Sequence, residues 1–301
     1  MKTPLLSLAA CMGGLLCSDS FASDYRFVHE KHPWHITGNY AQVAGAEVTT
    51  HPAKGSHLHY GEGYGNLFYS HFLNTENSLT AQVGVNYTRI HWEENPRFTD
   101  DNYTYGLLSL AWISHSLEKW RWVMTGGTIV DTRTWNFGQS AVYYGMLWGR
   151  NQYSESVGLH IGFYGYYGAM NGYFLPILGF DWKCNRKWEL KAVFPLDASL
   201  NYNFSKNWFT SIAVMSFGGP YRFPRRIHGG VGRYENGIFE VYSTGVEWEV
   251  KFDKNNFIIF GIGAGWNFGG WLLIKDSHNH HPKYYHFDSA PYGRAFFGLS
   301  F

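Results

Sequence analysis

Apolar and polar residues alternate with a period of two through most of this chain. Residues 245–252 show the pattern clearly, because charged side chains separate the apolar ones. One face holds Val246, Trp248, Val250 and Phe252, and the other holds Glu247, Glu249 and Lys251. Residues 77–92, 156–163 and 187–194 repeat the pattern. Successive side chains of a strand point to opposite faces, so the pattern predicts an all-β protein whose antiparallel sheet has one apolar and one polar face.

Two kinds of link separate the alternating segments. Short polar turns such as 74–77 and 205–207 alternate with longer links such as 93–101, 218–236 and 269–289. Short turns at one end and longer loops at the other are typical of an up-and-down transmembrane β-barrel with its apolar face toward lipid. The predicted strands are 35–49, 64–73, 77–92, 102–115, 119–131, 139–150, 154–166, 172–183, 187–194, 197–204, 207–217, 237–252, 256–267 and 290–301.

The segments predict a barrel of fourteen strands, with twelve as the alternative. Segments 187–194 and 197–204 are shorter than the about 9–11 residues that a tilted strand needs to cross a bilayer. If they form one bent strand and 35–49 does not span, the count falls to twelve. Fourteen strands would leave a lumen wider than side chains alone readily fill.

Residues 256–274 carry no charge over 19 residues, which is about the length of a membrane-spanning helix. Five glycines interrupt the stretch, and several of them alternate with apolar residues. Glycine is a poor helix former, whereas in a strand it marks a place where other groups approach closely. We therefore predict a strand whose glycines, among them Gly261, Gly263 and Gly265, face a crowded interior.

The composition supports a barrel and excludes two other classes. Aromatic residues make up 19% of the chain and charged residues only 16%. A mean hydropathy of −0.28 excludes a bundle of membrane helices, because only in a barrel are half of the spanning residues polar. The net charge of +1, without a long basic run, argues against a nucleic-acid partner.

The first residues are typical of an export signal: Lys2 precedes an apolar stretch, and Ser20-Phe21-Ala22 forms a small-x-small cleavage site. We therefore expect a cleaved signal peptide at 1–22, a periplasmic lead-in at 23–34 and one barrel domain at 35–301. Cleavage would leave Cys184 without an intramolecular cysteine partner, so no disulfide framework is expected.

Residues 290–301 end on an aromatic residue, with Phe297, Leu299 and Phe301 on one face of an extended segment. With this segment and the alternation, the chain from residue 23 onward resembles Gram-negative outer-membrane β-barrels. The resemblance implies that Phe297, Leu299 and Phe301 serve as a signal for the barrel-assembly machinery. That family usually has a glycine where this chain has Phe296, so the match is partial. The chain also resembles, loosely, an uncharacterised group of bacterial barrels.

Histidines cluster in the last predicted loop, and imidazoles at short spacing can bind zinc, copper or nickel. Few carboxylates accompany them, so a solvated loop is favoured over a metal site and no cofactor is predicted. The weak metal candidates are His278, His280, His281 and His286.

Arginines concentrate in the link 218–236, which would either constrict a pore and attract anions or lie outside and contact the phosphates of lipopolysaccharide. Charges on the luminal face imply an aqueous channel or a network of internal ion pairs. The pore or anion-contact candidates are Arg222, Arg225, Arg226, Arg233, Glu247, Glu249, Arg121 and Arg294.

The leading functional hypothesis is a porin-like channel for small solutes in the cell outer membrane. The alternatives are a structural or surface-adhesion barrel and a lipid-modifying enzyme. The chain contains no His-x-Ser pair, in which both side chains would share one strand face, so no catalytic residues are assigned. The expected partners are outer-membrane lipid, lipopolysaccharide and, during biogenesis, the barrel-assembly machinery. The sequence makes no prediction of oligomeric state.

Overall fold

Fourteen strands form one closed antiparallel barrel in the computed structural model. The structure describes residues 32–93, 102–132, 135, 137, 141–168, 172–223, 227–228, 233–234, 237–255, 257–275 and 282–301. The barrel strands are β1 (Trp34–Glu47), β2 (His57–Phe72), β3 (Asn77–Trp92), β4 (Asn102–Ser114), β5 (Trp120–Asp131), β6 (Ala141–Gln152), β7 (Val157–Gly168), β8 (Gly172–Lys183), β9 (Trp188–Phe194), β10 (Asp197–Asn203), β11 (Trp208–Phe217), β15 (Gly237–Lys254), β16 (Ile258–Lys275) and β18 (Ala290–Ser300). Four shorter strands accompany them: β12 (Pro220–Phe223), β13 (Ile227–His228), β14 (Arg233–Tyr234) and β17 (Lys283–Phe287).

The ring closes between the first and last strands. β1 pairs with β2 on one side and with β18 on the other, in a register that runs from His35↔Ser300 to Val43↔Tyr292. β16 then joins β18 to β15. Closure satisfies the backbone groups of both terminal strands, which an open sheet in lipid could not do. No helix among the described residues is long and apolar enough to cross a membrane.

The prediction of fourteen strands is confirmed, and the alternative of twelve is wrong. β9 and β10 are two strands, because they pair directly from Val193↔Asp197 to Trp188↔Tyr202 and Leu196 N donates to Val193 O in the turn at 2.7 Å. The first predicted segment, 35–49, also forms a full barrel strand, β1, which is paired on both sides. Two boundaries differ from the prediction by more than three residues: β2 begins at His57, and β16 continues to Lys275.

The two faces of the sheet are those that the alternation predicts. Val83 and Val85 are exposed on the outside, whereas Thr80 and Gln82 are buried inside. Exposed aromatic side chains gather near both rims of the outer face. At one rim lie Trp34, Trp182, Trp188 and Trp208, and at the other lie Tyr143, Tyr167, Phe174, Trp266 and Phe268. We call the first rim the turn end, since it carries the short links 73–76, 115–119, 184–187 and 204–207, and the opposite rim the loop end.

An apolar layer fills the interior at the loop end. Tyr103 of β4 stacks on Phe239 of β15, with ring centroids 5.9 Å apart, although six strand-to-strand steps separate β4 from β15 around the ring. Trp92 of β3 likewise meets Tyr285 of β17, at 5.9 Å. The walls therefore touch across the lumen at this end. The apolar layer comprises Leu58, Tyr60, Ile90, Trp92, Tyr103, Phe239, Val241, Leu272, Ile274, Tyr285 and Phe287.

Candidate functional site

A luminal cavity of about 240 Å³ lies against the inner wall of β5 to β10. Four basic side chains and three acidic ones line it, together with a histidine and three apolar residues. We call this space the luminal cavity. Its lining is Arg121, Trp148, Arg150, His160, Asp181, Lys183, Glu189, Lys191, Val193, Leu196 and Asp197.

The strand register brings these charges together. Arg121 of β5 lies directly opposite Arg150 of β6, so two guanidinium groups share one luminal position. Asp181 of β8 lies opposite Lys191 of β9, and Lys183 lies opposite Glu189. Like charges placed opposite each other on a sheet repel unless a counter-charge intervenes. The cavity therefore combines a basic side near β5 and β6 with charges of both signs near β8 and β9.

Arg150 and Asp181 form a bidentate ion pair in the cavity. Nε and Nη2 of Arg150 donate to Oδ1 and Oδ2 of Asp181 at 2.9 and 2.7 Å, which is the bidentate geometry that suits a carboxylate. Nη1 of Arg150 donates to Oε1 of Gln152 at 2.7 Å. These contacts fix the plane of the guanidinium group and join β6 to β8 across β7.

His160 connects this ion pair to Trp148. Nε1 of Trp148 lies 3.1 Å from Nδ1 of His160, and Nε2 of His160 lies 2.5 Å from Oδ1 of Asp181. An indole N–H can only donate, so Nδ1 accepts and the ring hydrogen is on Nε2, which donates to Asp181. Both ring nitrogens are thus engaged, and neither is placed to accept a proton from a nucleophile. The arrangement orients the charged groups and is not that of a catalytic base.

The hairpin of β9 and β10 forms the loop-end boundary of the cavity. Lys191 Nζ lies 3.7 Å from Asp197 Oδ2, and Ser199 Oγ donates to Asp197 Oδ1 at 2.7 Å. Val193 and Leu196, both buried, lie at the turn of this hairpin. The cavity is therefore charged toward the turn end and apolar toward the loop end.

A second charged group, which we call the Arg294 cluster, lies on the opposite wall. Arg294 of β18 pairs with Glu247 and Glu249 of β15, and Lys251 Nζ lies 2.5 Å from Glu249 Oε1. The side chains of Glu247 and Glu249 are 0% and 1% exposed. The structure thus pairs these three predicted pore candidates with one another and removes them from solvent. Arg121, by contrast, lines the luminal cavity.

The other predicted site residues lie at the loop end or outside the described residues. Arg222 lies on β12 and Arg233 on β14. His286 lies on β17, where its backbone N–H donates to Thr50 Oγ1 at 3.0 Å. The described residues contain no group of three or more His, Cys, Asp or Glu that could hold a metal ion. The residues Arg225, Arg226, His278, His280 and His281 fall outside the described part of the chain.

The outer-face positions of β18 are placed as the alternation predicts. Phe297, Leu299 and Phe301 are all exposed on the outer surface. Their role as an assembly signal remains a proposal. Sequence reasoning missed Trp148 and His160 as site residues, although the alternation within residues 156–163 predicts that His160 faces the lumen.

An exposed ion pair joins β2 to the residue that follows β3. The backbone N–H and Nδ1 of His57 approach Oε2 of Glu93 at 3.1 and 2.8 Å. The side-chain hydrogen bond from His57, followed by the backbone one, lowers the pKa of Glu93. His59 and His91 face each other on the same two strands, with ring centroids 6.1 Å apart.

No family model matches the chain. It is 25% identical over 270 residues to an uncharacterised protein of Chlamydia pneumoniae, an alignment that covers 88% of this chain and 79% of that protein. It is 27% identical over 204 residues to an uncharacterised protein of Chlamydia muridarum, covering 66% of this chain and 60% of that protein.

The chain also matches solved structures of several descriptions. The toluene transporter TodX of Pseudomonas putida matches with a TM-score of 0.43 and 7% identity, over 94% of this chain and 93% of that one. The KdgM porin in complex with disordered oligogalacturonate matches with a TM-score of 0.34 and 9% identity, over 89% and 99%. LpxR from Salmonella typhimurium matches with a TM-score of 0.28 and 11% identity, over 89% and 100%. It is the strand register of this chain, not these alignments, that establishes the closed barrel of fourteen strands.

Proposed function

We propose that this barrel spans the outer membrane and serves as a porin-like channel for a small charged solute, with the luminal cavity as the solute site. The observation that carries the proposal is a cavity with seven charged side chains inside a closed ring of strands. Ionisable groups inside a spanning barrel are costly unless they are wetted or paired, and here they border an open space. The loop end would face outward and the turn end the periplasm.

The outer surface supports the membrane location. Its apolar face continues around the ring, with exposed side chains such as Val83, Leu108 and Ile262 on separate strands. The aromatic side chains near both rims match the two girdles that flank the apolar band of outer-membrane barrels. Tyr and Trp favour such positions because one part of the ring system is apolar and another can bond to water.

The cavity lining favours an anionic solute. The four basic and three acidic residues give a net charge of +1 with His160 neutral, and Arg121 and Arg150 face each other across β5 and β6. A guanidinium group offers paired donors that fit a carboxylate or phosphate. Arg150 is held by Asp181, so a solute would bind between this fixed group and Arg121, Lys183 or Lys191.

The apolar layer is the closed barrier of the channel. Tyr103 and Phe239 are both 0% exposed, and their contact joins opposite walls. Passage of a solute therefore requires this layer to part. We expect the wild-type protein to show small, infrequent conductance steps, and replacement of Tyr103 by alanine to enlarge them by opening the contact with Phe239.

Single-channel recording in planar bilayers tests the proposal. The Tyr103→Ala variant should conduct steadily, and adding Arg121→Gln and Lys183→Gln to it should shift the reversal potential toward cation selectivity. Lys206→Gln, on the exposed turn between β10 and β11, is the control and should leave selectivity unchanged. Folding of each variant is checked by heat-dependent mobility in SDS gels. Silence of correctly folded Tyr103→Ala protein, or selectivity that ignores the two cavity substitutions, would overturn the proposal.

A further inference from the structure

Among the described strands, the barrel wall has a gap above the β9–β10 hairpin. The pairing of β8 with β9 ends at Leu178↔Phe194, although β8 continues toward the loop end through residues 172–177. The pairing of β10 with β11 likewise ends at Ser199↔Ala213, although β11 continues through 214–217. In the sheet order, β9 and β10 are the only described strands between β8 and β11, and both stop below these segments. We call the gap between 172–177 and 214–217 the notch.

The notch lies within the apolar band of the membrane. A strand of 7 residues, such as β9 or β10, is about 23 Å long, which at a tilt of about 40° gives about 18 Å along the barrel axis. The apolar band of such barrels is about 25 Å tall. Since the hairpin starts at the aromatic rim of the turn end, at Trp188, it ends about 7 Å short of the opposite interface.

The surroundings of the notch are apolar. Beside the β9–β10 hairpin, β8 and β11 are separated by three strand spacings, or about 14 Å. This distance is larger than the width of an alkyl chain. Phe174 and Phe194 are exposed on its outer margin, and Phe174 stacks on Phe163 at 5.2 Å. The side chains behind it are buried and apolar: Leu175, Ile177, Leu196 and Met215.

The notch and the luminal cavity share a boundary. Val193 and Leu196 of the hairpin turn line the cavity, and they lie directly below the notch. Asp197 lies opposite Val193, Lys191 follows two residues further toward the turn end, and Arg150 and Arg121 line the same cavity on β6 and β5. The surroundings therefore change from apolar at Val193 and Leu196 to charged within the luminal cavity.

We propose that the notch is a lateral portal between the outer leaflet and the luminal cavity, and that its occupant is an amphipathic anion. The alkyl chain would lie in the notch against Phe174, Phe194 and Leu196, and the anionic head would reach the basic side of the cavity. This inference rests on the proposed function and names the class of solute. A neutral or cationic amphiphile of the same length lacks the head group that the cavity lining favours.

Photocrosslinking in phosphatidylcholine proteoliposomes tests the portal, with tetradecanoic acid carrying a diazirine in its chain as the probe. Mass spectrometry should find adducts on Leu196 and on 172–178, and unlabelled tetradecanoic acid should compete for them. Tetradecanol and tetradecyltrimethylammonium, which have the same chain and a neutral or cationic head, should compete at least about tenfold less well, as expected for the loss of one charge-assisted contact. Arg121→Gln should weaken competition by the acid to a similar extent.

Two positions serve as internal references. Ile262 faces outward on strand β16, at a position paired with β18. Like any lipid-facing residue, it should be labelled to the same extent with and without the unlabelled acid. Leu272, in the apolar layer, should remain unlabelled. Labelling confined to positions such as Ile262, or equal competition by all three amphiphiles, would overturn the portal. Conductance of the Tyr103→Ala variant would be unaffected by that outcome, so failure of the portal and failure of the channel are distinguishable.

Discussion

Glu247 and Arg294 meet across an intervening strand. Glu247 lies on β15 and Arg294 on β18, with β16 between them, yet Nε and Nη2 of Arg294 donate to Oε2 and Oε1 of Glu247 at 3.1 and 2.5 Å. Both side chains pass over Gly263 of β16, whose Cα lies opposite Glu249 on one side and Arg294 on the other. A Cβ at this position would lie 2.6 Å from Cδ of Glu247. The ion pair therefore requires glycine beneath it.

Replacing Gly263 by alanine should destabilise the barrel by about 1–3 kcal/mol, because the added methyl displaces the Glu247 carboxylate from Arg294. Urea titration of detergent-solubilised protein, followed by tryptophan fluorescence, measures the effect. Gly293→Ala is the matched control, since a Cβ there would meet only the Gly263 carbonyl oxygen at 3.9 Å. Equal midpoints for the two variants would contradict the account.

Removing the arginine of the Arg294 cluster should cost more than removing an exposed charge. Arg294→Met leaves Glu247 and Glu249 buried together, and breaking a buried pair from one side costs about 3–5 kcal/mol. Adding Glu247→Gln and Glu249→Gln should restore part of the lost free energy of unfolding. Lys206→Met, at an exposed turn, should change it by less than about 0.5 kcal/mol. A loss in Arg294→Met no larger than in this control would show that the cluster does not stabilise the barrel.

The sequence predicts the ring of strands well because each strand has its own alternation and its own bounding turns. Thr80 and Gln82 could be assigned to the interior from residues 77–92 alone, with no knowledge of the neighbouring strands. The start of β2 was missed because its outward positions Gly61, Gly63 and Gly65 carry no apolar side chains, while Leu58 and Tyr60 place apolar side chains on the luminal face, so the expected alternation is absent there. The end of β16 was missed because Gly269, with φ of 88°, is typical of a turn, whereas here the strand continues past an irregular register.

The luminal cavity could be predicted only in part. Alternation places His160 and Asp181 on the luminal face, but their contact depends on the register between β7 and β8, where Gly158 and not His160 lies opposite Asp181. Register arises from all strands closing together, so it cannot be read from any one of them. The apolar layer was unforeseen for the same reason, since Tyr103 and Phe239 belong to strands far apart in sequence.

The pKa of Glu93 should depend on His57. Hydrogen bonds from His57 lower the pKa of this carboxyl, and Glu93 follows the end of β3, outside the spanning segment. Asn in place of His57 removes the ring donor, so the pKa of Glu93 should rise toward its ordinary value. A carboxyl whose pKa is lowered by folding stabilises the folded state at pH values above its ordinary pKa. This contribution is lost as the pH falls through the folded-state pKa. Carbon-13 NMR of labelled glutamate measures the titration, and an unchanged Glu93 curve in His57→Asn would contradict the assignment. Glu76, in an exposed turn, serves as the reference.

Phe296 occupies the position at which the resemblance to outer-membrane barrels leads one to expect glycine. Its ring lies over Gly261 of β16, whose Cβ, if present, would be 2.5 Å from Cε1 of the phenyl ring. Lys251 Nζ lies 5.0 Å and Arg294 Cζ 5.3 Å from the ring centroid. Each cation over an aromatic face contributes about 0.5–1 kcal/mol. The ring therefore packs at the seam between β16 and β18 and also borders the Arg294 cluster.

Phe296 and Gly261 should consequently behave as a coupled pair. Phe296→Ala should cost about 2–4 kcal/mol from lost packing and lost cation contacts, and Gly261→Ala about 1–3 kcal/mol from the clash with the ring. In the double variant the clash is gone, so its cost should fall below the sum of the two by at least about 1 kcal/mol. Phe297→Ala, which alters the adjacent outward side chain, should combine additively with Gly261→Ala. The same urea titrations provide all the free energies, and additivity of Phe296→Ala with Gly261→Ala would refute the contact across the seam.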